Sequence, residues 1–287
     1  MTREALIDAP GWARAALSLD DFQRARELLR SIAGIALNDS KKMMVASRLA
    51  KRLRATGLES FPAYLDRVEA ETGEWPHFVN ALTTNLTAFF REPYHFPILV
   101  DHVMKAHAAA PGRPVTVWSA GCSTGQEPYS IAMAMVEAFG TMTPPVRIVA
   151  SDIDTDALAC ASRGTYPLAK LEGLDPERLK RFFQRGTGAN EGYARVHPQL
   201  RALVDFKRVN LSEGSWPVPE TIAAIFCRNV MIYFSRDTQA ALVRRFAQRL
   251  APDGLLFAGH SENLHYVAGD LYRACGRTVY RVIPGGA

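Results

Sequence analysis

Val115-Thr116-Val117-Trp118-Ser119-Ala120-Gly121-Cys122-Ser123-Thr124-Gly125-Gln126-Glu127 decides the fold class. Val115 to Ser119 is a short apolar run of buried-strand type. A glycine loop follows, and Glu127 to Phe139 then carries helical character. Working outward, the same grammar repeats. Pro144-Pro145 punctuates, Val146 to Ala150 is a second strand ending at Ser151-Asp152-Ile153-Asp154, and a helix runs to Arg163. Leu203–Val209, Ile222–Cys227 and Leu255–Ala258 are three more strands, with an amphipathic helix from Arg236 to Leu250. Residues 271–283 alternate around a Gly-Arg turn, as a terminal hairpin does. Strand–helix alternation predicts an α/β fold with a mainly parallel, doubly wound sheet. Between the second and third strands, residues 174–202 hold turn-rich pieces that predict a helix and a small antiparallel insert.

Upstream the pattern is helical from Leu19 to about Leu82, after a weakly patterned lead-in over residues 1–18. Asp20 or Asp21 is the expected cap of a helix through Arg30 that Gly34 breaks. A second helix spans Lys41 to Thr56, stopped by Gly57. A third opens at Ser60-Phe61-Pro62, and Trp75-Pro76 begins a fourth. The expected division is a helical domain at 1–84, a linking, cofactor-contacting segment at 85–112, and an α/β domain at 113–287 with its insert at about 174–202.

Of the residues, 48% are hydrophobic and 22% charged, which fits a globular protein, and no apolar run is long enough for a membrane span. The N-terminus lacks signal-peptide features, so a cytoplasmic location is expected. Cys122, Cys160, Cys227 and Cys275 form no C-x-x-C pair, so neither a metal site nor a disulfide framework is expected. Net charge is +5, but the segment Arg24–Arg54 alone carries +7 and leaves −2 for the rest. In the helix 41–54, Val45, Ala46, Leu49 and Leu53 are read as one arc, with Lys41, Arg48, Lys51, Arg52 and Arg54 opposite. Such a basic face implies an acidic partner.

The chemistry-bearing residues collect at strand ends, where ligands bind in such sheets. The loop at Gly121 and Gly125 fits neither the Walker A pattern nor the dinucleotide fingerprint, which disfavours a phosphate ligand. A carboxylate at the end of the second strand, from Asp152 or Asp154, suits the hydroxyls of a ribose, and the residues of this run left over cap the next helix. Glu127 at a helix start serves either the helix dipole or a cationic cofactor. Asn210-Leu211 after the third strand is either a turn or an adenine contact. His260-Ser261-Glu262 has the residue types of a hydrolase triad but no nucleophile elbow. His95, His102 and His107 lack metal-ligand spacing, and Trp12, Trp75, Trp118 and Trp216 read as packing residues.

Five long runs, in order, resemble the CheR family of chemoreceptor glutamate methyltransferases. They are Leu82-Thr83-Thr84-Asn85-Leu86-Thr87-Ala88-Phe89-Phe90-Arg91-Glu92, Gly125-Gln126-Glu127-Pro128-Tyr129-Ser130, Ala150-Ser151-Asp152-Ile153-Asp154-Thr155, Ile225 to Phe234 with Arg228-Asn229-Val230-Met231-Ile232-Tyr233, and Gly254 to Glu262. The likeness covers the chain from about residue 20. It implies a class I (Rossmann-like) methyltransferase sheet behind a helical domain. It further implies S-adenosylmethionine as methyl donor, S-adenosylhomocysteine as product, and glutamate carboxylates of chemotaxis receptors as acceptors. By the same resemblance Asn85, Thr87, Arg91, Glu127, Asp152, Asn210, Leu211, Asn229 and Val230 are expected around the cofactor. Arg91 and Tyr233 are expected nearest the transferred methyl. Lys41, Arg48 and Arg52 are expected to meet a receptor's helical bundle, and the insert near Arg185–Tyr193 to grip a tether peptide. A monomer without nucleic-acid or membrane-inserted partners is expected. Gln126 departs from an acidic residue often found before the matching Glu, and Gly121-Cys122 stands where small residues vary. The Arg228–Tyr233 run also differs from the Asn/Asp-Pro-Pro-Tyr of enzymes that methylate amino groups.

Overall fold

A computed structural model describes residues 16–283, so the lead-in over 1–15, with Trp12, lies outside the described residues. The chain divides into two compact units, 1–84 and 85–287.

Among the described residues, the α-helices of the first unit are α1 Leu19–Ala33, α2 Lys42–Thr56, α3 Phe61–Ala70 and α4 Trp75–Leu82. The α1 cap is Ser18 rather than Asp20 or Asp21. Its hydroxyl accepts the Asp21 N–H while the Asp21 carboxylate reaches back to the Ser18 N–H. That reciprocal pair satisfies two free helix-end donors, and so the start moves forward of the first acidic residue. Phe22, Ala25 and Leu29 of α1 bury with Val45, Leu49, Leu53, Phe61, Tyr64, Leu65, Phe78 and Val79. Each fully buried Leu or Phe contributes about 1.5–3 kcal/mol of transfer free energy. Trp75 is only partly covered, at the N-terminus of α4, with its indole N–H on the Val68 carbonyl.

The basic face of α2 needs correction. Arg48 and Arg52 are not opposite Val45 and Leu49; each follows one of them by three residues and lies on the same side of the helix. Both are half-buried. Arg48 donates to the Thr83 carbonyl at 2.6 Å, and Arg52 pairs with the buried Glu74 at 2.7 Å, which also accepts the Tyr64 hydroxyl at 2.9 Å. Lys41 and Lys51 are exposed.

In the second unit, α5 His95–Ala109 precedes β1 Val115–Ala120, α6 Gln126–Phe139, β2 Val146–Asp152 and α7 Thr155–Arg163. A three-stranded antiparallel sheet follows, ordered β3 (Thr165–Pro167), β5 (Tyr193–Val196), β4 (Phe183–Arg185), with α8 Pro176–Phe182 before β4 and α9 Pro198–Arg201 after β5. It starts at Thr165, earlier than 174, because the short β3 carries too few residues to read as a strand. The chain then continues through β6 Val204–Arg208, β7 Ile222–Cys227, α10 Arg236–Arg249, β8 Leu250–Ala258, α11 His265–Ala268, β9 Tyr272–Gly276 and β10 Val279–Val282.

The main sheet runs β6-β2-β1-β7-β8-β10-β9. The first five strands are parallel, and the final hairpin adds two antiparallel ones. Alternate strand residues feed two cores: Val117, Ile148, Phe226 and Phe257 on the α5/α6 face, and Trp118, Val149, Ile225 and Leu256 on the α10 face. Burial on both faces explains why β1, β7 and the second half of β8 read as near-continuous apolar runs. The chain order reverses between β1 and β7, so their carboxyl ends open a crevice at the switch point.

Candidate active site

The β1–α6 and β2–α7 loops meet at Asp152. One oxygen of its carboxylate accepts the Ser123 N–H at 2.7 Å, and the other accepts the Asp154 N–H at 2.9 Å. Burial raises its pKa to about 6 despite those two donors. Asp154, which is buried, has a different task. Its Oδ1 caps α7 through the Asp156 and Ala157 N–H groups, and its Oδ2 accepts the Asn85 amide at 2.7 Å. The half-buried Asp152 is therefore the carboxylate of the pair with lone pairs left for a ligand. Asn85 also accepts the Ser123 hydroxyl at 3.0 Å, so it ties its own segment to both loops.

Glu127 is buried at the start of α6. Its oxygens accept the Ser119 hydroxyl at 2.7 Å and the Arg228 Nε–H at 2.7 Å. It is thus no open negative charge. Arg228, buried at the end of β7, is the centre of the network. Its Nη1 donates to the Arg91 carbonyl at 2.6 Å and to His95 Nδ1 at 3.2 Å, and lies 3.6 Å from Glu92 Oε2. His95 is fully buried, with its pKa pushed down to about 4 by desolvation and then by Arg228, so it is neutral. With Nδ1 accepting, its Nε2 carries the proton and donates to the Arg277 carbonyl at 3.1 Å. Burial opposes ionisation of Glu92, but the His260 N–H groups and Arg228 outweigh it and hold the carboxyl below its ordinary range. Arg228 thus sits between two carboxylates, paired with Glu127 at 2.7 Å and 3.6 Å from Glu92.

Arg91 is half-buried, with one guanidinium N–H on the Leu86 carbonyl at 3.1 Å. Thr87 is half-buried nearby in the chain. Phe90 and Glu92, on either side of Arg91, have φ of 49° and 54°. Ser123 and Asn229 are left-handed too, at 50° and 59°. Each such non-glycine residue costs about 1–3 kcal/mol and persists only where its surroundings impose it.

Past β7, Asn229 donates its N–H to Glu262 at 2.8 Å, and its side-chain oxygen is buried without a hydrogen-bond partner among the described residues. Val230 packs against Gly121; a Cβ there would overlap the Val230 side chain, and φ of 88° also demands glycine. Tyr233 ends the helical turn Met231–Tyr233, which Gln239 anchors through the Met231 and Phe234 carbonyls. Asn210 is buried, its oxygen accepting the Ser212 N–H and hydroxyl; Leu211 is buried in the α10-side core.

The second unit thus gathers Asn85, Arg91, Glu127, Asp152, Asn229 and Val230 into connected contacts. Lys41, Arg48 and Arg52 belong to the first unit. The sequence reading missed the roles of Arg228, Glu92 and Glu262. A buried charge is costly unless paired, so an arginine right after a fully apolar strand was the available signal. The donor set is compatible with a cationic, ribose-bearing cofactor: the carboxylates of Glu92, Glu127 and Asp152 suit a cation and hydroxyl donors, and the buried Asn229 side-chain oxygen has no hydrogen-bond partner among the described residues. Among the described residues no cluster of three or more His, Cys, Asp or Glu is placed to hold a metal, and no helix is long and apolar enough to cross a membrane.

Comparison with known proteins matches residues 20–83 to the model "CheR methyltransferase, all-alpha domain" and residues 85–280 to "CheR methyltransferase, SAM binding domain". The chemotaxis protein methyltransferase 2 of Pseudomonas aeruginosa is 53% identical over 261 residues, spanning 91% of this chain and 92% of its own. Chemotaxis protein methyltransferases of Salmonella typhimurium and Escherichia coli are 49% and 48% identical over 269 residues, spanning 93% of this chain and 91% and 92% of theirs. The chain belongs to the CheR methyltransferase family, and the strand-end crevice of its second unit lies in that family's S-adenosylmethionine-binding domain.

Proposed function

We propose that this protein transfers methyl groups from S-adenosylmethionine to glutamate side chains of chemotaxis receptors, forming methyl esters in the cytoplasm. The observation that carries the reading is Arg91, a half-buried guanidinium held between two left-handed residues and anchored through its carbonyl to Arg228. Backbone held this firmly suits a residue whose task is orientation.

When bound, the cofactor supplies a methyl carbon made electrophilic by its sulfonium. Asp152 would accept the ribose hydroxyls, Asn210-Leu211 and Asn229-Val230 would line the adenine end, and Asn85 and Thr87 would close the segment above them. Glu127, through its pair with Arg228, and Glu92 would set the negative potential that favours the cation. The acceptor glutamate is ionised at neutral pH, its ordinary pKa being about 4.3, so no general base is needed. Its oxygen would accept the methyl carbon that the cofactor supplies, the C–S electron pair leaving with sulfur. Arg91 would hold the carboxylate's other oxygen, and Tyr233 would flank the line of attack. Alignment of this kind lowers barriers by up to about 7–11 kcal/mol.

Residues 1–84 would present Lys41 and neighbouring cations of α2 to the acidic face of a receptor's helical bundle, with 85–112 as the linking, cofactor-contacting segment. Residues 113–287 would then carry the transferase chemistry, with the small sheet available to a receptor tether peptide. The enzyme would act as a monomer.

The test is tritiated-methyl transfer from labelled cofactor to receptor-bearing membranes, followed by mild base. Esters release volatile methanol; label that survives base sinks the reading. Arg91→Ala should lower turnover about 100-fold or more at saturating cofactor, beyond any loss of cofactor affinity.

A further inference from the structure

Gly259-His260-Ser261-Glu262, following β8, carries chemically equipped side chains that the proposed reaction leaves without a task. It is not a hydrolase triad. Glu262 is buried and its carboxylate is occupied by backbone: Oε2 accepts the Gly259 N–H at 2.6 Å and the Asn229 N–H at 2.8 Å, and Oε1 accepts the Ile232 N–H at 3.3 Å. The imidazole of His260 turns the other way, to Glu92.

We infer that this tetrapeptide is a strut that fixes the separation of Arg91 and Tyr233, with His260 as a positioning residue for methyl transfer. The inference rests on the site reading above. At one end, Glu262 suspends the Asn229–Tyr233 turn by its own N–H groups. At the other, His260 donates both its backbone N–H and Nδ1–H to Glu92 Oε1, each at 3.1 Å, directly after Arg91. Glu92 is held below its ordinary pKa range and a carboxylate only accepts, so the proton lies on Nδ1. The two segments are far apart in sequence, and four residues of loop hold both.

The strut leaves no slack. A Cβ at Gly259 would overlap the Asn229 amide, so the loop and the turn are in direct backbone contact. Arg91 sits between the left-handed Phe90 and Glu92, a backbone that must be imposed from outside. Three groups impose it: Ser130 Oγ accepts the Phe90 N–H at 2.9 Å, Arg228 binds the Arg91 carbonyl at 2.6 Å, and His260 binds Glu92. Ser130 and Arg228 are buried, whereas the His260 side chain is 61% exposed. His260 can therefore be replaced without opening the core, which separates positioning from folding.

The experiment is steady-state methyl transfer by the full chain, with tritiated S-adenosylmethionine and receptor-bearing membranes. Calorimetry of cofactor binding and thermal unfolding are measured on the same variants. His260→Ala should lower kcat about tenfold with KM, cofactor affinity and unfolding midpoint unchanged, since the loss is in alignment rather than binding. H260N, whose amide N–H replaces Nδ1–H, should recover most of kcat. Wild-type kcat in His260→Ala, or H260N no better than His260→Ala, overturns the strut. Arg91→Ala and Tyr233→Phe run in parallel: wild-type turnover in both overturns the site reading itself, whereas their loss beside an unaffected His260→Ala overturns only the strut.

Discussion

Arg228 Nη1 donates to the carbonyl oxygen of Arg91 at 2.6 Å, while Nε of the same guanidinium donates to Glu127 at 2.7 Å. One planar cation thereby locks the tip of β7 to the start of α6 and to the segment that carries Arg91. The fork geometry of arginine makes this possible, since each N–H points to a separate acceptor.

Arg228→Met should destabilise the protein by about 3–5 kcal/mol, because it strands the Glu127 and Glu92 carboxylates in a buried site. Urea unfolding measures the loss. Arg228→Lys should recover only part, since one ammonium cannot serve both acceptors in the same directions. A fully stable Lys variant would show that charge alone matters.

Cofactor affinity should follow the titration of Asp152. Burial lifts this carboxyl to about 6, and the ionised form is the better acceptor for ribose hydroxyls. Affinity is then level above about pH 7 and falls as pH drops through 6, where protonation removes acceptor capacity. Calorimetric titrations across that range check the sign. Asp152→Asn should bind more weakly at pH 7 and lose the dependence. Asp154→Asn should keep it, because its oxygen still caps α7.

Arg48 and Arg52 of α2 should behave as structural residues. Arg52→Ala leaves the buried Glu74 carboxylate with the Tyr64 hydroxyl and without its cation, at a cost of about 3 kcal/mol. Lys41→Glu and Lys51→Glu should change stability by less than about 0.5 kcal/mol. They should nevertheless slow receptor methylation, most strongly at low ionic strength. Denaturation curves and methylation rates at two salt concentrations separate the outcomes; equal destabilisation by all three variants would be inconsistent with this division.

Tyr166 links the small sheet to the glycine loop. Its buried hydroxyl donates to the Thr124 carbonyl at 2.7 Å, and its ring meets Phe89 edge-on at 5.2 Å. Tyr166→Phe keeps the ring contact and removes the donor, so stability should fall by about 1–2 kcal/mol. Cofactor affinity should fall with it, because the loop loses one of its anchors. Unchanged affinity in a destabilised variant would show that the loop is held elsewhere.

Much of the architecture was legible in the residues. Ile222–Cys227 is a strand with the same bounds in both readings, and Gly57 and Ser60 stop and start helices where their chemistry indicates. Parallel strands buried on both faces leave long apolar runs, and helix ends need particular residues, so both signals are local. Ser18 was overlooked because a capping box is recognised by a reciprocal pair rather than by the first acidic residue. The short strand Thr165–Pro167 has too few residues to carry a period and exists because Tyr193–Val196 pairs with it.

From the linear chain alone came the fold class, the order of the strands along it, and the runs that resemble a methyltransferase family, because periodicity, capping and loop chemistry act over a few neighbours. Tertiary structure alone decided which charges are spent. Arg48 and Arg52 found internal acceptors, Glu127 found Arg228, Asp154 became a cap, and Asp152 kept capacity for a ligand. Desolvation makes an unpaired buried charge costly, and the partner that relieves it can lie a hundred residues away, where no local pattern points to it.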